Sequence, residues 1–350
     1  MNKVIIVFAG LQIFLSAQAA SLIPVYRNVD FQITGVSVSK TGRMFVNFPR
    51  WSDRYLNAVL EVQKDGSVKP FPDEQWNRWD GKPETAAQQF VCVQSVVTDD
   101  TDSLWIVDPA APMLGPAIQN GAKLVKVDLK TNQVSRVYTF TPDVVKQGTY
   151  LNDIRIDTGR HTAYLTDSGV GGIVILDTES GKAHRALDGD KSVLKEEGIS
   201  ISVNRQPVME NGKPPQFNAD AIALSLDGNY LYYQALTGAT LYRIATGALR
   251  DGSQATPEVV AKTFPLDGIW MDRQGRLYLS NINESAVYRM APGGKPEKLA
   301  QSKDLEWPDT FTQGPDGAMY ITSSHINDMP QFHQGKSTRK DPYTVFRFQP

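Results

Sequence analysis

One hairpin is written into this chain six times, and that recurrence restricts the fold more than any other feature. The copies are TGVSVSKTGRMFVNF from Thr34, QSVVTDDTDSLWIVD from Gln94, NDIRIDTGRHTAYLTD from Asn152, DAIALSLDGNYLYYQ from Asp220, DGIWMDRQGRLYLSN from Asp267 and DTFTQGPDGAMYITS from Asp309. Each alternates apolar and polar residues, turns on a Gly- or Asp-rich tetrad, and returns on a strand carrying an aromatic at a matching place (Phe45, Trp105, Tyr164, Tyr232, Tyr278, Tyr320). Period-two alternation bounded by turn residues is the signature of half-buried strands.

Five of the hairpins are followed by two more strand-like runs, as in KLVKVDL and VSRVYTF after the second. Four strands per unit, repeated, build the blades of a β-propeller, whereas two stacked β-sandwiches would leave the repeat unexplained. The last unit has only YTVFRFQ before the chain ends, so LIPVYRNV (Leu22 to Val29) is expected to supply its outer strand and remove two open edges. The prediction is an all-β, six-bladed β-propeller over residues 20–350, its last blade closed by the N-terminal strand.

Residues 1–19 read as a signal peptide: Lys3, the apolar run VIIVFAGLQIFL, and Ala17-Gln18-Ala19 as a cleavage site. The chain is therefore expected to be exported, to the periplasm or outside the cell, with no membrane span once processed. A net charge of −2 provides no basic field for nucleic acid, and no protein partner is legible. Cys92, the only cysteine, excludes an internal disulfide, and its apolar setting FVCVQSVV predicts a buried, inert thiol.

Polar residues stand at one fixed point of every copy, just ahead of the first strand: Thr34, Gln94, Asn152, Asp220, Asp267 and Asp309. First strands of propeller blades line the central channel, so these side chains should converge on one mouth. Two readings follow. Asn152, Asp220 and Asp267 could hold Ca²⁺ or another divalent cation, since hard cations take oxygen ligands; without one, crowded carboxylates must share protons. Alternatively, each side chain caps backbone amides between blades.

The long connections fall on the same face, among them FPRWSDRYLN, DPAAPMLGPAIQNGAK and SSHINDMPQFHQGKSTRKD, while the turn-glycine face has mostly short ones. Long loops on a rigid scaffold usually carry function. Arg50, Trp51 and Trp307 on these loops suit stacking on a planar ligand, or else bracing of the loops. His325, directly after a second strand, is a candidate acid or base together with Asp220, Asp267 and Asp309. The separation of His325 and His333 fits no zinc motif, and a single cysteine excludes the common structural zinc sites.

TGVSVSKTGRMFVNFPRW, LNDIRID, AYLTDSGVGGIVILD and ADAIALSLDGNYLYYQALTGATLYRI resemble the major royal jelly and yellow protein family, in particular its compact microbial members related to L-dopachrome tautomerase. The resemblance implies a secreted six-bladed propeller with a ligand pocket at one channel mouth. In some members it implies binding of small aromatic amines or dopachrome conversion. It leaves open whether this chain is an enzyme. A more distant likeness is to gluconolactonase-like propellers, whose metal column runs Glu, Asn, Asn, Asp. Asn152 and Asp267 match that pattern, while Asp220 replaces an Asn and Thr34 the Glu. That likeness implies a metal-dependent lactonase or esterase as the alternative, and a non-catalytic binding propeller is the third.

Overall fold

The computed structural model describes residues 20–254 and 256–350; the leader expected at residues 1–19 lies outside them. Six four-stranded antiparallel sheets form the blades, the first five with their strands in chain order from the inside out. The innermost strands are Gly35–Val38, Ser95–Thr98, Leu151–Asp157, Ala219–Leu224, Leu266–Met271 and Pro308–Gln313. Contacts run from each inner strand to the next and from the sixth back to the first. In the last blade Ile23–Asn28 pairs antiparallel with Tyr343–Phe348, from Ile23 opposite Arg347 to Asn28 opposite Tyr343. The first and last described strands thus close the ring.

The alternation seen in the sequence becomes packing between blades. Phe45, Leu104, Ile106 and Val125 meet around Val96, and Trp105 and Leu124 pack on Ile154 and Leu165 of the next blade. Phe45, Trp105, Tyr164 and Tyr278 are fully buried, so four of the six repeat aromatics are blade cores; Tyr232 and Tyr320 stay half-buried. Each fully buried ring of this kind contributes about 2–3 kcal/mol relative to exposure. The two α-helices among the described residues are short: Glu74–Asn77, capped by the Asp73 carboxylate, and Thr246–Asp251 on the turn-glycine face.

Blades three to six share a device that blades one and two lack. Their inner strands slip register at Leu151/Ile154, Ala219/Ala221, Leu266/Ile269 and Pro308/Phe311. Such a bulge leaves amides without a ladder partner and re-aims side chains. A hydroxyl on the second strand accepts those amides in three of the blades. Thr166 Oγ1 takes Asp153 N (3.1 Å), Ser280 Oγ takes Asp267 N (3.1 Å) and Gly268 N (2.8 Å), and Thr322 Oγ1 takes Thr310 N (3.0 Å). Thr166 and Thr322 also donate onward, to Asp220 O (2.7 Å) and Thr34 O (3.0 Å), tying neighbouring blades at the channel. Gly268 has no alternative at its position: a Cβ there would lie 2.1 Å from Asp309 O.

Candidate functional site: a carboxylate column under a loop lid

The bulges place Asn152, Asp220, Asp267 and Asp309 second in their strands and turn them into the channel, where none exceeds 7% exposure. A hydrogen-bonded chain runs around the mouth. Trp51 Nε1 donates to Tyr150 Oη (2.9 Å), and Tyr150 Oη donates to Gln94 Oε1 (2.9 Å). Gln94 Nε2 reaches Asn152 Oδ1 (3.3 Å), and Asn152 Nδ2 donates to Asp220 Oδ2 (2.7 Å). From the far side Trp307 Nε1 donates to Asp267 Oδ2 (2.6 Å). Asp220 and Asp309 both feel the charge of Asp267 beside them. Neighbouring carboxyls that repel one another favour a proton on at least one of them.

The electrostatics agree with proton sharing. Burial pushes Asp220 and Asp309 well above the usual carboxylate range, and the neighbouring charge of Asp267 adds to it. Asp267 is raised to about 7, first by burial; the Trp307 hydrogen bond opposes the shift. A fourth carboxyl, Asp153, is also buried and raised; Ser95 Oγ donates to it (2.8 Å), and the buried Arg155 guanidinium lies 3.9 Å away. Asp309 Oδ2 accepts no hydrogen bond. Four carboxyls therefore crowd this part of the channel, and the guanidinium of Arg155 approaches Asp153 from deeper in it.

Neutral donors reach one oxygen each of Asn152, Asp220 and Asp267, while Asp309 Oδ2 accepts from none, so free carboxylate oxygen for a hard cation remains in the column. The first position holds Thr34, whose hydroxyl donates to Gln94 O (3.0 Å) and accepts from Asn47 (2.9 Å). Thr34 thus ties the backbone of the next blade, through a carbonyl and not through the amides of the capping reading. Among the described residues, the set of three acidic, histidine or cysteine side chains whose ligand atoms all lie within 4.8 Å of one another is Glu306, His325 and Asp328, outside the column.

Other residues singled out in the sequence separate into two groups. Trp307 is completely buried and joins the column to an apolar cluster of loop residues that includes Ile201, Val208, Ile326, Met329 and Phe332, with Trp51 and Phe217 packed at its edge. The long connections thus form a lid whose aromatic members touch the column through Trp51 and Trp307. Arg50 and His325 stand apart from the column network. Arg50 donates to Val91 O (3.2 Å) and stacks over Tyr55 and Trp79, bracing one loop on another. His325 Nδ1 faces Asp328 (3.2 Å), and its ring edge meets Tyr343. Cys92 is buried, with burial pushing its thiol up to about 12.

Two members of the network were missed in the sequence. Asp153 directly follows Asn152, and strict alternation sends it to the opposite face; only the bulge brings both inward. Tyr150 lies before the first strand residue of its blade, where no periodicity reports its aim. The opposite mouth holds a cavity of about 480 Å³ lined by Arg155, Asp157, Arg160, Asp227 and Trp270. Both of its arginines are already engaged, Arg160 by Asp157 (2.8 Å) and Arg155 by two backbone carbonyls. The column remains the better candidate.

Fold and column together define a six-bladed propeller with a lidded cluster of buried carboxyls at one mouth. The family signature of the major royal jelly proteins matches residues 91–336, more than half of the chain, and the protein belongs to that family. No curated protein sequence matches it. Among solved structures, a gluconolactonase from Xanthomonas campestris is similar in fold, with a TM-score of 0.59 at 13% identity over 95% of this chain and 90% of that one. The calcium-binding protein regucalcin from Agrobacterium tumefaciens gives 0.58 at 15% identity, over 94% and 93%. Virginiamycin B lyase from Staphylococcus aureus gives 0.53 at 14%, over 95% and 99%. At these identities the likeness is one of fold. Among the described residues no helix is long and apolar enough to cross a membrane.

Proposed function

We propose that the column is the floor of a binding site for a small aromatic amine of the indole- or catechol-like class, in a protein exported by its leader. The supporting observation is the crowding of the buried carboxyls Asp153, Asp220, Asp267 and Asp309, which burial and neighbouring charge push toward holding protons. An organic ammonium can take the place of a shared proton while its ring packs against the lid aromatics Trp51 and Phe217. Such rings bury large apolar area and favour cations on their faces. Calorimetry with tryptamine and dopamine, set against the neutral compounds indole and catechol, tests this. The amines should bind at least about tenfold more tightly, and Asp309→Asn should remove that preference. Equal affinity for charged and neutral compounds would defeat the reading.

A dopachrome tautomerase-like activity is the second reading, favoured by Asp267 titrating near 7, where a carboxyl serves as both base and acid. The Asp267 carboxylate would take a proton from the carbon beside the iminochrome, the C–H electron pair would move into the ring system, and Asp220 or Asp309 would return a proton to the heteroatom. His325, a sequence candidate for this role, has its hydrogen bond to Asp328 instead. Loss of dopachrome conversion in Asp267→Asn, with amine binding retained, would separate catalysis from binding.

A further inference from the structure

The search of the molecule outside the column returns most strongly to the start of the last blade. Glu306 lies on the connection entering its inner strand, and His325 and Asp328 lie on the loop leaving its second strand. Backbone bonds from Ser324 N to Trp307 O (3.1 Å) and from His325 N to Glu306 O (3.3 Å) hold the two segments side by side. His325 is 2% exposed, and its Nδ1 stands 3.2 Å from Asp328 Oδ2 and 3.8 Å from Glu306 Oε2. All three ligand atoms fall within 4.8 Å of one another.

The geometry points to a divalent transition-metal site formed by Glu306 Oε2, His325 Nδ1 and Asp328 Oδ2, with Zn²⁺ as the ion that suits it. The first argument is the donor set: one imidazole with two carboxylates suits zinc, whereas calcium and magnesium sites are built from oxygen alone. The second is spacing. Tetrahedral zinc with bonds of about 2.0–2.1 Å separates its ligand atoms by about 3.3 Å, and the observed 3.2 and 3.8 Å bracket that value. The third is the outer shell. Asn327 Nδ2 holds the other Glu306 oxygen, Oε1 (2.6 Å), and Thr338 Oγ1 holds the other Asp328 oxygen, Oδ1 (2.5 Å). Each carboxylate is thereby oriented with one oxygen left toward His325, as outer-shell partners orient ligands in metal sites. A further buried oxygen without a partner, Asn327 Oδ1, belongs to the side chain that holds Glu306.

An ion here would clip the long loop of residues 324–342 to the segment that carries Trp307, and so set the lid over the column. The sequence gives no zinc motif because the ligands come from two connections and use carboxylates where familiar motifs use cysteine.

Purified protein stripped with chelator and titrated with ZnCl₂ by calorimetry, with Co²⁺ absorption as a second readout, provides the test. One equivalent of Zn²⁺ should bind. Affinity should fall at least about tenfold in both Glu306→Gln and Asp328→Asn, and stay unchanged in His161→Ala and Asp267→Asn. Cobalt loading should give the visible bands of a tetrahedral site in the parent protein and lose them in His325→Ala. Glu306→Gln is nearly isosteric, and circular dichroism checks that it folds. Absence of saturable binding would overturn the site. So would binding that survives Glu306→Gln and Asp328→Asn, or that disappears in Asp267→Asn, which would place the ion in the column.

Discussion

Asp267 gathers the account into one side chain: a buried carboxyl between two others, steadied by an indole N–H and raised to about 7. Its folded value lies above its unfolded one, so between about pH 4 and 7 the native state binds more protons than the unfolded chain. The stability this proton contributes is complete below about pH 4 and is lost as pH rises through 7, at up to about 1.4 kcal/mol per pH unit for each such group. Asp220 and Asp309 are raised in the same sense. Thermal unfolding should therefore show the column favouring mildly acidic over mildly alkaline solution. Asp309→Asn, which needs no proton, should flatten that dependence and raise the melting temperature at pH 8. A steeper loss of stability at pH 8 in the variant would mean that Asp309 is ionised and paired in the native state. The four column residues of blades three to six were legible at this level because they recur at one repeat position. Asp153 and Tyr150 were not, because a one-residue slip of register reverses which side chains face the channel.

The bulge turns a run of polar residues into a site, and second-strand hydroxyls hold it in place. Ser280 accepts two otherwise unpaired amides, those of Asp267 and Gly268. Ser280→Ala should cost about 1–3 kcal/mol, the penalty of leaving buried donors unmade, as measured by denaturant unfolding. It should also weaken amine binding, since the Asp267 backbone loses its anchor. A loss below about 0.5 kcal/mol would show that water or a relaxed backbone replaces the hydroxyl. Strands and turns were readable because period-two alternation and turn glycines are local properties. The bulges were not, since in three of the four blades their amides are held by hydroxyls a dozen or so residues away in sequence, such as Ser280 beneath Gly268. The lid was readable only as loop length; its packing through Trp307 is a tertiary fact.

Closure makes the propeller one cooperative body, and the N-terminal strand performs it. Deleting residues up to Asn28 would strip the outer strand from Tyr343–Phe348 and leave an open edge. The truncated protein should unfold at lower denaturant with a broadened transition and self-associate; an unchanged transition and a monomeric state would show that the last blade holds without it. Sequence repeats made this closure legible in advance, because a short last blade and an unassigned first strand complement one another. The rigid ring also holds the four carboxyls together, which loops alone could not do. The central claim is that this mouth exchanges a shared proton for an organic cation. The most direct measurement is the heat of tryptamine binding at pH 6 in two buffers of different ionisation enthalpy. Release of about one proton per amine bound is expected, and it should vanish in Asp309→Asn. Tight binding with a heat independent of the buffer would place the amine elsewhere, or show the column already ionised.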